Sequence, residues 1–428
     1  MGPPGPLSVP FQRAVPMSQD IVVIGAGIIG ISIAAELVQQ GHRVRVLDRS
    51  GVAAETSKGN AGAFAFTDVM PLATPGIMRK APKWLLDPLG PLSIPPRYAL
   101  KIAPWMLRFW RASWRDRFET SVAAQSALMD LSRSALERQI ATHGAEHLIQ
   151  RDGQLQLFEG ETQFRDSLPG WELRGQYGIK YDLLRSPEEI AEIQPGLDRR
   201  FTHAGFTPDW INTTDPQIWT EHLAQSVVNA GGEIVDCDIQ SISTVGDRVQ
   251  LTHDGGSLTA DKVIVAAGAW SHHLARTLGD RIPLETERGY NTTLPAGAFD
   301  VRTHLTFGAH GFVVSRINGG VRVGGAVELG GLKLPPNYRR AKILLEKAKR
   351  FLPGLDTAGG RQWMGYRPSI PDTLPVISRS PKSDNVIYAF GHGHLGLTQS
   401  AATAELVRDL INKNSSPISL DPYRASRF

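Results

Sequence analysis

A glycine-rich turn between two short apolar segments near the N-terminus constrains the fold more than any other feature. Residues 21–24 (IVVI) form a β-branched, uncharged run that is typical of a buried parallel strand. The turn at residues 25–30 (GAGIIG) follows, residues 31–40 have helical periodicity, and residues 43–48 (RVRVLD) form a second strand-like run. The order of strand, turn, helix, strand and terminal acid predicts a βαβ unit that binds a dinucleotide.

The positions within this unit have specific physical roles. Gly25 permits the tight turn, Gly27 lets the backbone approach a pyrophosphate, and Gly30 lets the helix pack against the strand. Free N–H groups and the dipole at the helix N-terminus favour phosphate. Asp48 is placed to accept hydrogen bonds from ribose hydroxyls. Arg49 has two interpretations, a ligand of a 2′-phosphate or a solvated arginine.

Composition limits the class of protein. A chain of 428 residues, 41% hydrophobic and 21% charged, suits a globular protein with two domains, and a net charge of +4 does not suggest nucleic-acid binding. Cys237 is the single cysteine, which excludes an intrachain disulfide and fits a reducing compartment. Residues 1–18 are rich in Pro and Gly and are predicted to be a disordered extension. No run of 18 apolar residues occurs, so we expect a cytoplasmic protein without a transmembrane helix.

The loop after the second strand adds a family resemblance. Residues 55–62 (ETSKGNAG) resemble the "TS-x-x-NAG" segment of the D-amino-acid oxidase superfamily, in particular its D-amino-acid dehydrogenase branch. In that family the segment runs along the FAD pyrophosphate and passes near the flavin ring. The resemblance implies that Thr56 and Ser57 donate hydrogen bonds to phosphate. The alternative is a polar loop with a helix cap at Ser57.

Two further segments match the same family in the same order. Residues 262–271 (KVIVAAGAWS) resemble its second FAD-contacting strand, and Ile239 is our candidate for a backbone contact to adenine. Residues 385–390 form a strand-like run, and residues 391–398 (GHGHLGLT) resemble the "GHG-x-x-G" loop before a helix predicted over residues 399–412. In the family that helix N-terminus points at the flavin N1–C2=O2 edge and stabilises the negative charge of reduced flavin.

The resemblance covers about residues 20–412 and implies an α/β fold. We expect a Rossmann-like, GR2-type FAD-binding domain with an antiparallel-sheet substrate domain. FAD is expected to be non-covalent, because Cys237 lies outside the places where sarcosine-oxidase relatives attach flavin. The residues predicted to contact FAD are Gly25, Gly27, Ile28, Gly30, Asp48, Arg49, Thr56, Ser57, Asn60, Ala61, Gly62, Ile239, Ala267, Gly268, Trp270, Gly393, His394, Leu395, Gly396, Leu397 and Thr398.

The predicted domains are discontinuous in sequence. The FAD-binding domain is assigned to residues 19–75, 190–275 and 360–428. The substrate domain is assigned to residues 76–189 and 276–359 and includes a basic helical insertion. Alternating patterns at residues 285–294, 312–316 and 321–328 predict an antiparallel sheet that covers the flavin.

The substrate site is predicted from two motifs of the family. Residues 288–290 (RGY) and the proline-rich segment 365–377 resemble its pocket strands. Arg367 is our first candidate to bind a substrate carboxylate, because an arginine fork matches that group. The alternative is a salt bridge from Arg367 to Asp372.

Three other side chains near these motifs have two interpretations each. Tyr290 is either a second carboxylate donor or a core tyrosine, and Arg288 is more typical of a structural or FAD-facing residue. His392 is expected to be a buried anchor of its loop, and His394 to face the substrate. No carboxylate or cysteine accompanies this His-x-His pair, so no metal is predicted.

The resemblance implies oxidative deamination of a D-amino acid by hydride transfer from Cα to flavin N5. No catalytic base is assigned, because positioning and exclusion of water suffice. D-Proline or a hydroxy-D-proline is the substrate suggested within the branch, with electrons passed to a quinone or an electron-transfer protein. The alternatives are an oxygen-using glycine or sarcosine oxidase, an inactive flavin-binding subunit and, with less support, an NAD dehydrogenase.

Residues 75–117 are unusually basic and rich in tryptophan. They contain nine Lys and Arg residues, two acids and four of the nine tryptophans, and residues 103–118 have an amphipathic pattern. Such a segment can lie on an anionic membrane, in keeping with a protein peripheral to the inner membrane. The alternative is a basic helical cap on the FAD-binding domain with its tryptophans in the core. The acids are Asp87 and Asp116, and the tryptophans are Trp84, Trp105, Trp110 and Trp114.

Overall fold

The computed structural model describes residues 18–79 and 92–428. The prediction for residues 1–17 and the positions of Lys80, Lys83, Trp84 and Asp87 therefore lie outside the described residues. The helices are α1 (Ile28–Gln39), α2 (Ala99–Ala112), α3 (Arg115–His143), α4 (Gly160–Gln176), α5 (Pro187–Ile193), α6 (Pro216–Asn229), α7 (Ser271–Thr277), α8 (Arg339–Phe351) and α9 (Gly396–Asn412). The strands are β1 (Asp20–Ile24), β2 (Arg43–Asp48), β3 (Ala63–Phe64), β4 (Leu92–Ser93), β5 (Ile149–Gln150), β6 (Gln154–Phe158), β7 (Asp182–Leu184), β8 (His203–Thr207), β9 (Ile211–Thr213), β10 (Glu233–Asp236), β11 (Ile239–Val245), β12 (Arg248–His253), β13 (Gly256–Ala260), β14 (Lys262–Val265), β15 (Glu285–Leu294), β16 (His304–Phe307), β17 (Phe312–Ile317), β18 (Gly320–Glu328), β19 (Arg361–Ser369), β20 (Val376–Ser380) and β21 (Ser383–Phe390).

A six-stranded sheet contains the glycine-rich turn. Its strand order is β10-β2-β1-β14-β21-β20, and every pair is parallel except β20 with β21. Val22 and Val23 are both fully buried because α1, α3, α6 and α9 pack on one face while α7 and the β11–β13 meander pack on the other. Burial of both faces explains the uninterrupted apolar pattern of β1 and confirms the predicted Rossmann-like α/β fold.

A nine-stranded sheet forms the second layer of the protein. Its order is β19-β15-β18-β17-β16-β6-β8-β7, with β4 paired to β18. The pairs β6–β16 and β4–β18 are parallel and the remaining pairs are antiparallel, which confirms the predicted antiparallel sheet. Helix α8 covers one face through Leu344, Ala348 and Phe351. Strands β3, β9 and β5 form a small separate sheet.

The proposed division into two domains remains a prediction, but several elements lie across its boundaries. Strands β8 and β19 hydrogen-bond into the nine-stranded sheet, although the sequence assigned residues 190–275 and 360–428 to the FAD-binding domain. Helix α3 packs on α9 of the six-stranded layer, although residues 76–189 were assigned to the substrate domain. If the domains were divided by sheet, β8 and β19 would belong to the substrate domain and α3 to the FAD-binding domain.

The helix bounds differ from the sequence patterns in two places. The amphipathic pattern over residues 103–118 spans two helices, because α2 ends at Ala112 and α3 begins at Arg115. The Oγ atom of Ser113 donates a hydrogen bond to the carbonyl of Trp110 at 2.7 Å, which closes the last turn of α2. Helices α1 and α9 each begin three residues earlier than predicted, so both start within their glycine-rich loops.

Candidate active site

A first cavity runs from the carboxyl ends of β1, β2 and β14 to the N-terminus of α9. Fifteen of the predicted cofactor residues line it, and they come from five separate parts of the chain. They are Gly25, Gly27, Ile28, Asp48, Arg49, Thr56, Ser57, Asn60, Ile239, Ala267, Gly268, Trp270, Gly393, Gly396 and Leu397. Of the other six, Ala61, His394 and Leu395 line a second cavity, whereas Gly30, Gly62 and Thr398 line neither.

The glycines of the turn have different surroundings. Gly25 has a φ of +112°, and a Cβ added there would lie 2.4 Å from the Ala266 carbonyl oxygen. A Cβ on Gly30 would lie 1.8 Å from the Gly25 carbonyl oxygen. A Cβ on Gly27 would meet only Ser57 Oγ, at 3.3 Å. Gly25 and Gly30 therefore allow close backbone packing, whereas Gly27 leaves space on the cavity side.

The acid at the end of β2 stabilises the turn itself. Asp48 Oδ2 accepts a hydrogen bond from the Ala26 N–H at 2.7 Å. Its Oδ1 accepts from the N–H groups of Ser50 and Gly51 at 2.8 and 3.1 Å. Oδ1 already accepts two hydrogen bonds, but Oδ2 accepts only one, so Oδ2 of Asp48 retains the capacity to accept from a ribose hydroxyl.

The hydroxyls of Thr56 and Ser57 differ in direction. Ser57 Oγ accepts from the Ile28 N–H at 3.0 Å, at the first turn of α1. Thr56 Oγ1 donates to the Tyr366 carbonyl at 2.8 Å. The Thr56 proton is therefore directed at β19 and not at the first cavity, which differs from the predicted phosphate contact. Ser57 lies at the helix N-terminus where an anion would bind.

Arg49 stacks on Trp270, with its guanidinium carbon 4.2 Å from the ring centroid. It also lies 3.7 Å from Glu55, measured from Nη2 to Oε1. These contacts favour a stacked surface arginine over a 2′-phosphate ligand. At the same end of the cavity, the Cys237 N–H donates to the Asp48 carbonyl at 2.9 Å and brings the buried Ile239 beside β2.

The N-terminus of α9 forms the other end of the first cavity. Its first residues, Gly396 and Leu397, line the cavity, and the N-cap residue Leu395 provides no side-chain cap, so the positive end of the helix dipole lies at the cavity. His392 Nε2 lies 3.0 Å from Thr403 Oγ1, and burial lowers the pKa of His392 to about 3. His392 is therefore neutral and anchors the loop. Thr398 Oγ1 accepts from the Ala65 N–H at 2.9 Å and joins α9 to the segment after β3.

The second cavity, of about 470 Å³, lies between the loop at residues 59–68, helix α4 and the nine-stranded sheet. Thr56, Asn60 and Gly393 line both cavities, so the two spaces meet at these residues. The volume is in the range of small-molecule sites. The geometry therefore suits a long cofactor in one space and a small substrate in the other.

Arg367 lies in the wall of the second cavity. Its Nη1 donates to the Ala326 carbonyl at 3.0 Å. Asp372 instead pairs with Arg427, with Nε and Oδ2 2.7 Å apart, so the alternative salt bridge from Arg367 to Asp372 is absent. Burial lowers the pKa of Arg367, while the nearby Glu287 carboxylate opposes that shift.

Glu287 links Arg367 to His394. It lies opposite Arg367 in the β15–β19 register, and its Oε2 is 2.6 Å from His394 Nε2. Burial acts to raise the pKa of Glu287, but His394, Arg367 and Ser369 together hold it below its usual range. The structure therefore places an ionised, paired carboxylate between the two predicted substrate residues.

Tyr290 lines the second cavity but is buried, and the contacts of its hydroxyl favour the core tyrosine over the carboxylate donor. Its hydroxyl donates to Glu328 Oε1 at 3.2 Å and accepts from the Asn337 N–H at 2.9 Å. Arg288 is fully buried and donates to Glu328 Oε1 at 3.0 Å and to the Gly331 carbonyl at 2.8 Å. Both residues of this motif hold the segment after β18 in place.

Sequence reasoning missed a contact between the nine-stranded sheet and the loop that both cavities share. Arg322 Nη1 donates to the carbonyls of Lys58 and Asn60 at 3.2 and 2.5 Å, and Asn291 Nδ2 donates to the Gly59 carbonyl at 2.9 Å. Three successive carbonyls are thus bound from one side. A buried arginine inside the apolar strand β18 was the available signal for such a role.

Replacing Arg322 by methionine is expected to loosen this loop and to weaken cofactor binding about tenfold. The cause is the loss of charge-assisted hydrogen bonds worth roughly 1.5–3 kcal/mol each, partly offset by water. A fluorescence titration with FAD checks the result. Arg316→Met on the neighbouring β17 is the control, because Arg316 pairs with Asp152 outside both cavities. An unchanged affinity with lower thermal stability would restrict Arg322 to a purely structural role.

Comparison with known proteins identifies the family. A family model described as "DAO: FAD dependent oxidoreductase" matches residues 20–410. The chain belongs to this DAO family of FAD-dependent oxidoreductases. It is 34% identical over 424 residues to a D-amino-acid oxidase of Bradyrhizobium diazoefficiens, covering 97% of this chain and 100% of that protein. It is 30% identical over 417 residues to a D-amino acid dehydrogenase of Vibrio cholerae, covering 95% of this chain and 98% of that protein.

A solved structure agrees on the fold of this DAO family protein. The glycine oxidase from Geobacillus kaustophilus superposes with a TM-score of 0.75 at 19% identity, covering 96% of this chain and 99% of that one. The cofactor of the family is FAD, and the residues present fit it. Gly27 leaves backbone open to the cavity, and α1 and α9 direct their N-termini into the same elongated space. This arrangement suits a pyrophosphate at one helix and a flavin at the other.

Proposed function

We propose that this protein oxidises a D-amino acid with FAD, and that Arg367 binds the substrate carboxylate. The observation that carries the proposal is the position of Arg367. Arg367 lines the second cavity together with Gly393 and His394, Asp372 pairs with Arg427 instead, and the Glu287 carboxylate opposite Arg367 is bound to His394. Relatives named D-amino-acid oxidase and D-amino acid dehydrogenase, which span nearly the whole chain, support the substrate class.

Each part of the site has a defined task in this proposal. FAD, bound non-covalently in the first cavity, supplies a hydride acceptor for the substrate Cα. Arg367 orients the carboxylate, and Glu287 holds His394 2.6 Å away at the side of the cavity. The uncapped N-terminus of α9 favours negative charge near the flavin. The chain itself needs to orient the amine and exclude water, so we assign no catalytic base.

The test is an anaerobic titration of the purified yellow protein with D- and L-amino acids. Bleaching of the flavin absorbance by D-amino acids, and not by their L-enantiomers, is the expected result. Bleaching only by D-proline or hydroxy-D-proline would support that narrower substrate class. A flavoprotein that no amino acid reduces would overturn the proposed reaction and favour an inactive flavin-binding subunit.

A dehydrogenase and an oxidase of D-amino acids differ in the acceptor that takes electrons from the reduced flavin. We propose a dehydrogenase that passes electrons to a quinone or an electron-transfer protein, as the name of the Vibrio cholerae relative suggests. The Bradyrhizobium diazoefficiens relative is named an oxidase, and this favours oxygen as the second candidate acceptor. Stoichiometric hydrogen peroxide during turnover in air would favour the oxidase. Slow turnover in air that a soluble quinone accelerates would favour the dehydrogenase.

Tyr290→Phe is expected to alter stability more than catalysis. Removing the hydroxyl leaves the Asn337 N–H unsatisfied and costs about 1–3 kcal/mol of unfolding free energy. KM for a D-amino acid should change less than about twofold, because the hydroxyl is bound within the core. Steady-state kinetics and thermal melting check both expectations, with the exposed Tyr338→Phe as the control. A tenfold rise in KM without a change in melting temperature would restore Tyr290 as a carboxylate ligand.

We further propose that α2 and the start of α3 contact an anionic membrane surface. Leu100 is 92% exposed, and Leu107, Trp110 and Trp114 are also exposed at intervals of three to seven residues. Trp105 instead packs in a core cluster, as the alternative interpretation expects for the tryptophans. Basic residues near the exposed set are Arg97, Lys101, Arg108, Arg111 and Arg115. Exposed aromatic and aliphatic side chains with basic neighbours suit an interfacial helix.

Sedimentation with vesicles tests this contact. Within the described residues, no helix has the length and apolarity needed to cross a bilayer. The protein should pellet with phosphatidylglycerol vesicles at low salt and be released at high salt. Leu107→Glu should reduce the bound fraction several-fold, whereas Val245→Glu, at another exposed apolar position, should not. No pelleting at low salt would refute the proposal.

A further inference from the structure

A carboxylate in the wall of the second cavity has no hydrogen-bond donor among the described residues and only a long ion pair. Asp68 follows β3, and its side chain is 47% exposed. Within residues 18–79 and 92–428, no donor hydrogen-bonds its carboxylate, and its ion pair is to Arg174, 4.0 Å from Oδ1 to Nη2. Enclosure by the protein raises the pKa of Asp68, although Arg174 and His394 oppose the shift. The 4.0 Å gap is too long for a hydrogen bond, so both partners retain capacity for another group.

Arg174 is held in place by groups other than Asp68. Its Nε donates to the Thr67 carbonyl and its Nη1 to the Gly170 carbonyl, both at 3.3 Å. Its guanidinium carbon lies 4.8 Å from the centroid of Trp171, and its side chain is 11% exposed. Arg174 is thus a fixed cation on α4, and its Nη2 is the donor nearest to Asp68.

Four polar side chains form an uncharged floor beside this pair. Gln154 and Gln156 alternate along β6, and His304 and Thr306 alternate along β16. The register pairs His304 with Gln154 and Thr306 with Gln156, so all four share one face of the sheet, and all four line the second cavity. Burial lowers the pKa of His304 to about 4, so it is neutral at physiological pH. The floor provides hydrogen-bonding groups without net charge.

We propose that Asp68 and Arg174 form a subsite that binds a neutral polar group, a carboxamide or a hydroxyl, on the side chain of the substrate. The proposal rests on the function proposed above, with Arg367 on the carboxylate. A carboxamide or hydroxyl donates to Asp68 and accepts from Arg174, which bridges the 4.0 Å gap. A cationic side chain is attracted by Asp68 but repelled by Arg174, and an anionic one is attracted by Arg174 but repelled by Asp68, so a charged group gains from only one member of the pair. An aliphatic side chain leaves both charges desolvated and unpaired.

Matched substrate pairs test the subsite. D-Asparagine and D-leucine have side chains with the same number of heavy atoms and the same branching, and 4-hydroxy-D-proline adds one hydroxyl to D-proline. The wild-type protein should prefer the polar member of at least one pair about tenfold or more in kcat/KM, as expected for a hydrogen bond to a charged group. Asp68→Ala should reduce this ratio to about threefold or less. It should do so mainly by lowering kcat/KM for the polar member of the pair.

Three variants distinguish a subsite from a structural role. Asp166→Ala removes an exposed acid from α4 outside the cavity and should leave the ratio unchanged. Asp68→Asn retains the shape of the side chain and should keep part of the preference, which covers the case in which Asp68→Ala does not fold. Arg174→Met should lower the ratio as well.

Two results would overturn the subsite. The first is that the Asp68 and Arg174 variants lower kcat/KM equally for the polar and the apolar member of a pair. The second is that the wild-type protein shows no preference for the polar member of either pair. Failure of every D-amino acid to reduce the flavin is a separate result, seen before any ratio is measured, and would overturn both the function and the subsite.

Discussion

Arg367→Met is expected to lower kcat/KM for D-amino acids about a thousandfold, mainly through a higher KM. The guanidinium is the cation that Glu287 faces across β15 and β19. Without it, the Glu287 carboxylate remains near the cavity and repels the substrate carboxylate. Loss of one partner of a desolvated charge pair costs about 2–5 kcal/mol, which corresponds to this range of kcat/KM. Steady-state kinetics and anaerobic flavin reduction measure the loss.

Two comparisons separate carboxylate binding from a general defect. Arg361→Met, at an exposed position on the same strand, should retain wild-type kinetics and flavin content. An amine that lacks the carboxylate should be a poor substrate for both the wild-type protein and Arg367→Met, with little difference between them. Arg367→Lys should recover only part of the activity, because an ammonium lacks the planar fork. If Arg367→Met has the same KM for D-amino acids as the wild-type protein, the assignment of Arg367 as the carboxylate ligand is wrong.

Gly27→Ala is expected to raise the FAD dissociation constant about a hundredfold without unfolding the protein. Gly27 has φ −72° and ψ 175°, a conformation that alanine adopts readily. Its added methyl meets only Ser57 Oγ within the protein, at 3.3 Å, and otherwise extends into the first cavity. Forcing a methyl group into a close-packed contact costs about 1–3 kcal/mol, and this cost would fall on the bound cofactor.

Fluorescence titration with FAD and thermal melting of the FAD-free protein measure the two parts of this prediction. Gly354→Ala, which lines neither cavity and has Phe299 3.5 Å from the added atom, is the control. Gly30→Ala should differ from Gly27→Ala by destabilising the FAD-free protein, because its methyl lies 1.8 Å from the Gly25 carbonyl. Unchanged FAD affinity in Gly27→Ala would place the pyrophosphate elsewhere.

The sequence predicted the fold where local pattern and burial agree. The apolar run of β1 and the turn that follows it predicted the parallel sheet, because both faces of that strand are covered. The alternation in residues 285–294 predicted β15 with its observed bounds. The break between α2 and α3 was missed, because the amphipathic pattern continues across Ser113 and Trp114. Periodicity does not record where a helix changes direction.

Residues of the candidate site could be predicted from the sequence only where they belong to a recognisable motif. Arg367 is in a proline-rich segment of distinctive pattern. That Asp372 does not pair with Arg367 could not be predicted, because Asp372 pairs instead with Arg427, 55 residues further along the chain. The hydroxyl of Tyr290 is bound by the Asn337 backbone, 47 residues away, which no local pattern indicates. Asp68 and Arg174 lie 106 positions apart and have no motif around them, so only the folded chain brings them together.

The strand order has a consequence for how the protein is made. Strand β1 ends at Ile24, but its partner β14 begins at Lys262, and β14 in turn pairs with β21, which ends at Phe390. During synthesis β1 can pair with β2 at once, but its other edge stays unpaired until β14 is made, after more than half of the chain, and the sheet is complete only when the ribosome has nearly finished. Sheets built from such distant segments fold slowly and expose apolar edges meanwhile. Premature termination anywhere before β21 leaves a chain without a complete cofactor layer, and chaperone protection of the nascent β1 and β2 is the expected requirement.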